Sequence, residues 1–187
     1  MAGVKIDEIG KDKLERVQAI LGGIGRGDAV YHAVGAAMKR AAQSGKTQAG
    51  YYASRQYNIS KSLFMAKSHI GYELASHSGG TGITLSFSGG VIPLAQFGGT
   101  TASKTGGVNA SPKMGGGNIR SAFIVAMYGN NVFERISRFR FPLERKYGPS
   151  TGHMMQDEGV SEALASHMEE VFDSRIEHEI TRILNGW

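Results

Sequence analysis

Glycine gathered into two separate runs constrains this chain more than any other feature. Gly makes up 27 of the 187 residues, about twice the usual share of ~7%. The excess has no fixed period, which excludes a collagen-like helix. The first run, Gly22-Gly23-Ile24-Gly25-Arg26-Gly27, breaks any regular element that precedes it. The second spans 98–117, with Gly98, Gly99, Gly106, Gly107, Gly115, Gly116 and Gly117 among Thr, Ser, Asn and Lys. So few apolar side chains do not offset the entropy of ordering the backbone. The window is therefore expected to be a long flexible loop or an arm, with Lys104 and Lys113 on it, and such a segment can order on a partner. The two runs lead to an N-terminal helical arm over 1–27 and a single α+β domain over 28–187.

Composition narrows the chemistry. The chain has no Cys, so it builds neither a disulfide framework nor a thiolate metal site. No run approaches the ~18 consecutive apolar residues of a membrane-spanning helix. Met1 to Leu21 alternates charged and apolar residues and lacks the apolar centre of a signal peptide. Synthesis in a cytoplasm without export is the resulting expectation. A net charge of +5 permits contact with nucleic acid or with an acidic protein surface and does not select between them.

Periodicity gives the elements. Ile9, Leu14, Val17, Ile20 and Leu21 predict an amphipathic helix over Ile6 to Leu21. Asp28 is read as the cap of a second, alanine-rich helix from Ala29 toward Gln56, with a kink at Ser44-Gly45. Ser60 is read as the cap of a short helix over Lys61 to Ala66. Alternation from His69 to Leu74 and from Gly82 to Phe87 predicts two strands around a turn at Ser78-Gly79-Gly80. Val91 to Phe97 reads as a third extended piece, with Pro93 at an edge or bulge. Ile119 to Met127 and Val132 to Arg138 read as a hairpin around Tyr128-Gly129-Asn130-Asn131. Val160 to Trp187 reads as a long helix with Ser161 as its cap.

Catalytic and cofactor patterns are not found. Ser44-Gly45-Lys46-Thr47 resembles the end of a phosphate-binding loop, but Arg40 stands where the leading Gly belongs, and a helix precedes it instead of a strand. The six histidines are scattered and lack convergent metal-ligand spacing. No nucleophile elbow and no acid/base pair stands out. No cofactor and no enzymatic activity are expected. One cluster remains: Arg135, Arg138, Arg140, Arg145 and Lys146, interleaved with Phe133, Phe139, Phe141 and Tyr147. On a strand Arg138 and Arg140 would share one face and Phe139 and Phe141 the other. A solvated strand face or a subunit contact fits such a set better than a nucleic-acid contact does.

Several segments, taken in order, resemble the phage minor tail protein Z family. They are Ser121-Ala122-Phe123-Ile124-Val125-Ala126-Met127, then Gly129 with Val132-Phe133-Glu134-Arg135, then Phe141-Pro142-Leu143-Glu144-Arg145-Lys146-Tyr147-Gly148-Pro149-Ser150. Upstream, Tyr57-Asn58-Ile59 and Ile92-Pro93-Leu94-Ala95-Gln96-Phe97 add to the series. Phe-Pro-Leu at 141–143 departs from the commoner Leu-Pro-Ile, and the loop is richer in Gly. The resemblance implies a tail completion or neck subunit that forms a ring, a hexamer or a multiple, near the head-proximal end of the tail. It implies partners among tail terminator, tail tube and head connector proteins, with genomic DNA in the channel within reach. It brings no catalytic residues. The expected fold is α+β: N-terminal helices, a small antiparallel sheet with a long Gly-rich loop, and a long C-terminal helix. Expected subunit or partner contacts are Arg135, Arg138, Arg140, Pro142, Arg145, Lys146, Tyr147 and Pro149. The alternative is a nucleic-acid-binding module that uses the basic cluster 135–146.

Overall fold

The computed structural model describes residues 2–6, 19–20, 27–77 and 80–185. The fold is α+β, with helices, small antiparallel sheets and a long C-terminal helix. The helices are α1 (Gly27–Gln56), α2 (Lys61–Lys67), α3 (Thr151–Met154) and α4 (Glu158–Leu184). The chain groups into two compact units that interleave along the sequence. One comprises Met1–Ala49, Ile70–Phe87 and Ser161–Trp187, the other Gly50–His69 and Ser88–Val160.

In the first unit α1 buries Ala33, Val34, Ala37, Met38, Ala41, Ala42 and Ala49 at three- and four-residue steps, the face of an amphipathic helix. Asp28, expected as its cap, lies inside the helix, and the helix runs unbroken through Ser44 and Gly45. Gly45 is a packing residue: a Cβ there would stand 2.4 Å from Met168 Sδ and 2.9 Å from Leu85 Cδ1. Strands β1 (Ala2–Ile6), β2 (His69–His77) and β3 (Gly80–Ser88) form a sheet in the order β1–β3–β2. β1 runs antiparallel to β3, from Ala2 opposite Phe87 to Ile6 opposite Ile83. Ile83, Leu85 and Phe87 are buried, which is the predicted alternation. The helix expected over Ile6 to Leu21 falls largely outside the described residues, as do Ser78 and Gly79 of the expected turn.

α4 buries Val160, Leu164, Met168, Phe172, Ile176 and Ile180, the stripe that its periodicity predicts. It begins three residues before Ser161, so Ser161 is not its cap. Asp157 takes that place, accepting a hydrogen bond from the Gly159 backbone N–H. Glu179 is 1% exposed, with Arg175 Nη2 2.6 Å and Arg182 Nε 3.5 Å away on the same helix. Hydropathy spacing gives no sign of an acid on the buried side.

The second unit follows local rules more closely. The Ser60 hydroxyl accepts from the Leu63 N–H at 3.3 Å and caps α2, as expected. β4 (Val91–Pro93) pairs antiparallel with β11 (Tyr147–Ser150), and the register shifts between Gly148 and Ser150, which leaves Pro149 as the extra residue. A proline has no N–H to lose from the ladder, so it suits that bulge. Leu94–Gln96 is a 3₁₀ turn, and the extended piece ends at Pro93.

The window 98–117 is corrected. It carries β5 (Thr101–Ala102) and β6 (Val108–Ala110) and leads into β7 (Gly117–Ile119), an antiparallel meander in the order β5–β6–β7. Val108 and Ala110 are buried. Lys113 is ion-paired with Asp157, whereas Lys104 lies exposed in the turn between β5 and β6. Glycine here shapes turns. Gly107 has φ +83°, and a Cβ on it would meet the Ile119 carbonyl oxygen at 2.4 Å. Averaged apolar content hides that requirement, because two buried side chains are enough for so short a sheet.

Strands β8 (Ala122–Val125), β9 (Asn131–Arg135) and β10 (Leu143–Arg145) form a third antiparallel sheet, in the order β10–β9–β8. The strand expected over Val132 to Arg138 ends at Arg135. Residues 136–142 are a loop, with a cis bond between Phe141 and Pro142. The two-faced alternation expected for Arg138, Phe139, Arg140 and Phe141 is therefore absent: all four are exposed.

Candidate subunit-contact surface

The β8–β9–β10 sheet fixes two surfaces at opposite ends of one short strand. Glu134, next to the last residue of β9, lies directly opposite Glu144 of β10. Two like charges in register repel, and Lys146 resolves the conflict. Its ammonium is 2.5 Å from Glu134 and 2.8 Å from Glu144, and the Ser121 hydroxyl donates to Glu134 as well. The Lys146 bond, with help from Ser121, holds the Glu134 carboxyl below the usual carboxylate range. The bond to Glu134 in turn raises the Lys146 ammonium. Arg145 Nη2 donates to Asn131 Oδ1 at 2.6 Å. Arg145 and Lys146 thus serve the sheet itself, which their position in a basic cluster does not reveal.

Before β10, loop 136–142 stands in solvent. Ile136 is 65% exposed, Phe139 64% and Phe141 58%, and nearby in sequence Met127 reaches 87%. Three guanidinium groups lie against rings: Arg135 over Phe123 at 5.1 Å, Arg138 over Phe139 at 5.4 Å and Arg140 over Phe141 at 5.6 Å. Among the described residues none of the three has a carboxylate partner. A loop that exposes three large apolar side chains between unpaired arginines has the composition of an interface centre.

After β10, Lys146, Tyr147, Gly148 and Pro149 form one wall of a cleft of about 600 Å³. Gly117, Asn118 and Ile119 of β7 also line it, with Tyr57, Leu94, Ala110, Pro112, Lys113 and His153. Gly148 belongs there because a Cβ would meet the Phe97 ring at 2.5 Å. At Gly117 a Cβ would meet nothing within 4 Å, so the cleft is open at that point. Beneath it the Tyr57 hydroxyl donates to Asp157 Oδ2 at 3.1 Å, and Lys113 pairs with the same oxygen. Burial, then the bond to Asp157, pushes the Tyr57 phenol up to about 12. The Lys113 bond leads the effects that lower Asp157.

The residues expected as contacts therefore divide. Arg135, Arg138, Arg140 and Pro142 belong to the exposed loop or its base, Tyr147 and Pro149 to the cleft, and Arg145 and Lys146 to the sheet between. Sequence reasoning missed Tyr57, Pro112 and Gly117, which come to the cleft from distant segments and carry no local signal. Ser44 and Thr47 do not form a phosphate loop: the Ser44 hydroxyl meets His167 Nε2 at 2.9 Å, and Thr47 bonds back to the carbonyls of its own helix. Among the described residues no group of three or more His, Asp or Glu is placed to hold a metal ion, and no helix is long and apolar enough to cross a membrane. No protein-family model matches the chain, and neither a curated protein nor a solved structure matches it.

Proposed function

We propose that this chain is a non-enzymatic structural subunit of a tailed bacteriophage, forming a ring of six copies or a multiple as a tail completion or neck protein. Its place is the head-proximal end of the tail, where it enables head–tail joining, and it assembles in the host cytoplasm. The ordered series of segments from Tyr57 to Ser150 that resembles the minor tail protein Z family supports the reading. Loop 136–142 carries it. Exposed Ile136, Phe139 and Phe141 are what an isolated soluble subunit avoids and an assembling one needs. Tail terminator, tail tube or connector proteins are the expected neighbours.

The test is the mass of the purified protein in solution across a range of concentrations. One closed species at a fixed multiple of the 20.0 kDa chain is expected, and a monomer at all concentrations would contradict the proposal.

A second reading, a nucleic-acid-binding module, draws on the unpaired guanidiniums of Arg135, Arg138 and Arg140. It requires DNA affinity that falls steeply with salt. A double substitution of Arg138 and Arg140 would then abolish DNA binding and leave assembly intact.

A further inference from the structure

The cleft beside β7 and β11 separates its charges. Lys113, Lys146 and His153 line it, and among the described residues no carboxylate does. The acids that hold the two lysines stand outside that lining: Asp157 for Lys113, Glu134 and Glu144 for Lys146. An ammonium carries three N–H donors. Lys113 uses one on Asp157, which leaves two, and Lys146 uses one each on Glu134 and Glu144, which leaves one. Arg145 lies over the Tyr147 ring at 5.6 Å, and among the described residues its partner is Asn131 rather than a carboxylate. The three cations and three acids cancel in sum, so the attraction belongs to the lining. Cations with free donors, in a wall without acids, draw an anionic occupant.

Shape says what kind of anion. β7 and β11 each have one strand neighbour among the described residues, and both line the cleft, with Gly117, Asn118 and Ile119 from the first and Tyr147, Gly148 and Pro149 from the second. An open strand edge pairs with an extended peptide through backbone N–H and C=O groups. Leu94, Pro112 and Ile119 give the lining an apolar part, and Gly117 leaves the β7 edge uncovered by any side chain of its own. A volume of about 600 Å³ suits a short segment and not a domain. Nucleic acid shares the attraction to cations but does not pair with a strand edge, so the edges favour a peptide.

We propose that the cleft between β7 and β11 docks an extended acidic peptide segment of a partner protein. Its carboxylates meet Lys113, Lys146 and His153, and its backbone runs along a strand edge. The ring reading concerns contacts among copies of this chain, so the two stand or fall separately.

The probe is a fluorescent hexapeptide of alternating Glu and Val, which sets its acids on one face of an extended chain. By fluorescence anisotropy at low ionic strength it is expected to bind the full chain saturably, and the matching Lys and Val hexapeptide is expected not to bind. Gly117→Phe fills the cleft where a Cβ meets nothing within 4 Å and is expected to abolish binding. His153→Glu, at an exposed position, puts a carboxylate into the lining and is expected to weaken binding about tenfold. Melting temperatures near the parent's establish that a variant folds, and either folded variant decides. No binding of the Glu and Val peptide, equal binding of the Lys and Val peptide, or unchanged binding in a folded variant overturns the proposal. Free glutamate that binds as tightly as the peptide overturns it and assigns the cleft to a small anion. A thymidine hexanucleotide that binds more tightly overturns it and assigns the cleft to nucleic acid.

Discussion

The Tyr57 hydroxyl donates to Asp157 Oδ2 at 3.1 Å across 100 positions of sequence. This one bond ties the end of α1 to the start of α4. Asp157 also caps α4 and takes the Lys113 ammonium, so the carboxylate collects three donors from three parts of the second unit.

The tyrosine makes an alkaline prediction. Its phenol titrates at about 12 in the fold against 10.0 ordinarily. Between those values the folded chain keeps a proton that the unfolded chain has lost, so stability falls as pH rises through that window. Tyr57→Phe is expected to remove this slope and to cost about 1 kcal/mol at neutral pH through the lost hydrogen bond. Urea midpoints at pH 7 and above pH 10 check both.

The aspartate makes the acid prediction. Lys113 leads the causes that lower its pKa, so its stabilisation is complete above the ordinary carboxylate range of about 4 and disappears as pH falls through the lower, folded value. Asp157→Asn is expected to be less stable than the parent at pH 7, and the gap should close as both are taken to low pH. Urea midpoints followed from pH 7 downward measure it. A gap that stays constant would mean that Asp157 acts without its charge.

Two glycines in one small sheet are expected to respond oppositely. Gly107→Ala places a Cβ at φ +83° and 2.4 Å from a backbone oxygen, a strain of roughly 1–3 kcal/mol. Gly117→Ala meets open space and is expected to fall within about 0.5 kcal/mol of the parent. Equal effects by thermal unfolding would contradict the ordered meander over 98–117.

Helix α4 gives a similar contrast. Leu164→Ala empties a fully buried site and is expected to cost about 2–5 kcal/mol. Glu169→Ala, on the exposed side, is expected to change stability by less than about 0.5 kcal/mol. Denaturant unfolding of the two variants provides the comparison.

The sequence made legible what local rules decide. The alternation of Ile83, Leu85 and Phe87, the stripe from Val160 to Ile180 and the Ser60 cap all rest on periodicity or on one hydroxyl, and all stand in the fold. What escaped depends on partners far along the chain. Glycines of 98–117 looked like slack because the Ile119 carbonyl that needs Gly107 bare is twelve residues away. Phe139 and Phe141 looked like one face of a strand because alternation does not say where β9 stops. Lys146 looked free for a partner because Glu134, which holds it, is recognisable only once β9 and β10 are in register. The basic and aromatic cluster was thus visible as a composition, and its division into loop, sheet and cleft required the pairing.

A tail completion subunit has one place in the particle, and labelling that place tests the proposed role most directly. Antibodies against this chain, applied to virions of the tailed phage to which the proposal assigns it and viewed by electron microscopy, are expected to mark the head-proximal end of the tail. Virions that lack the chain altogether would contradict the account.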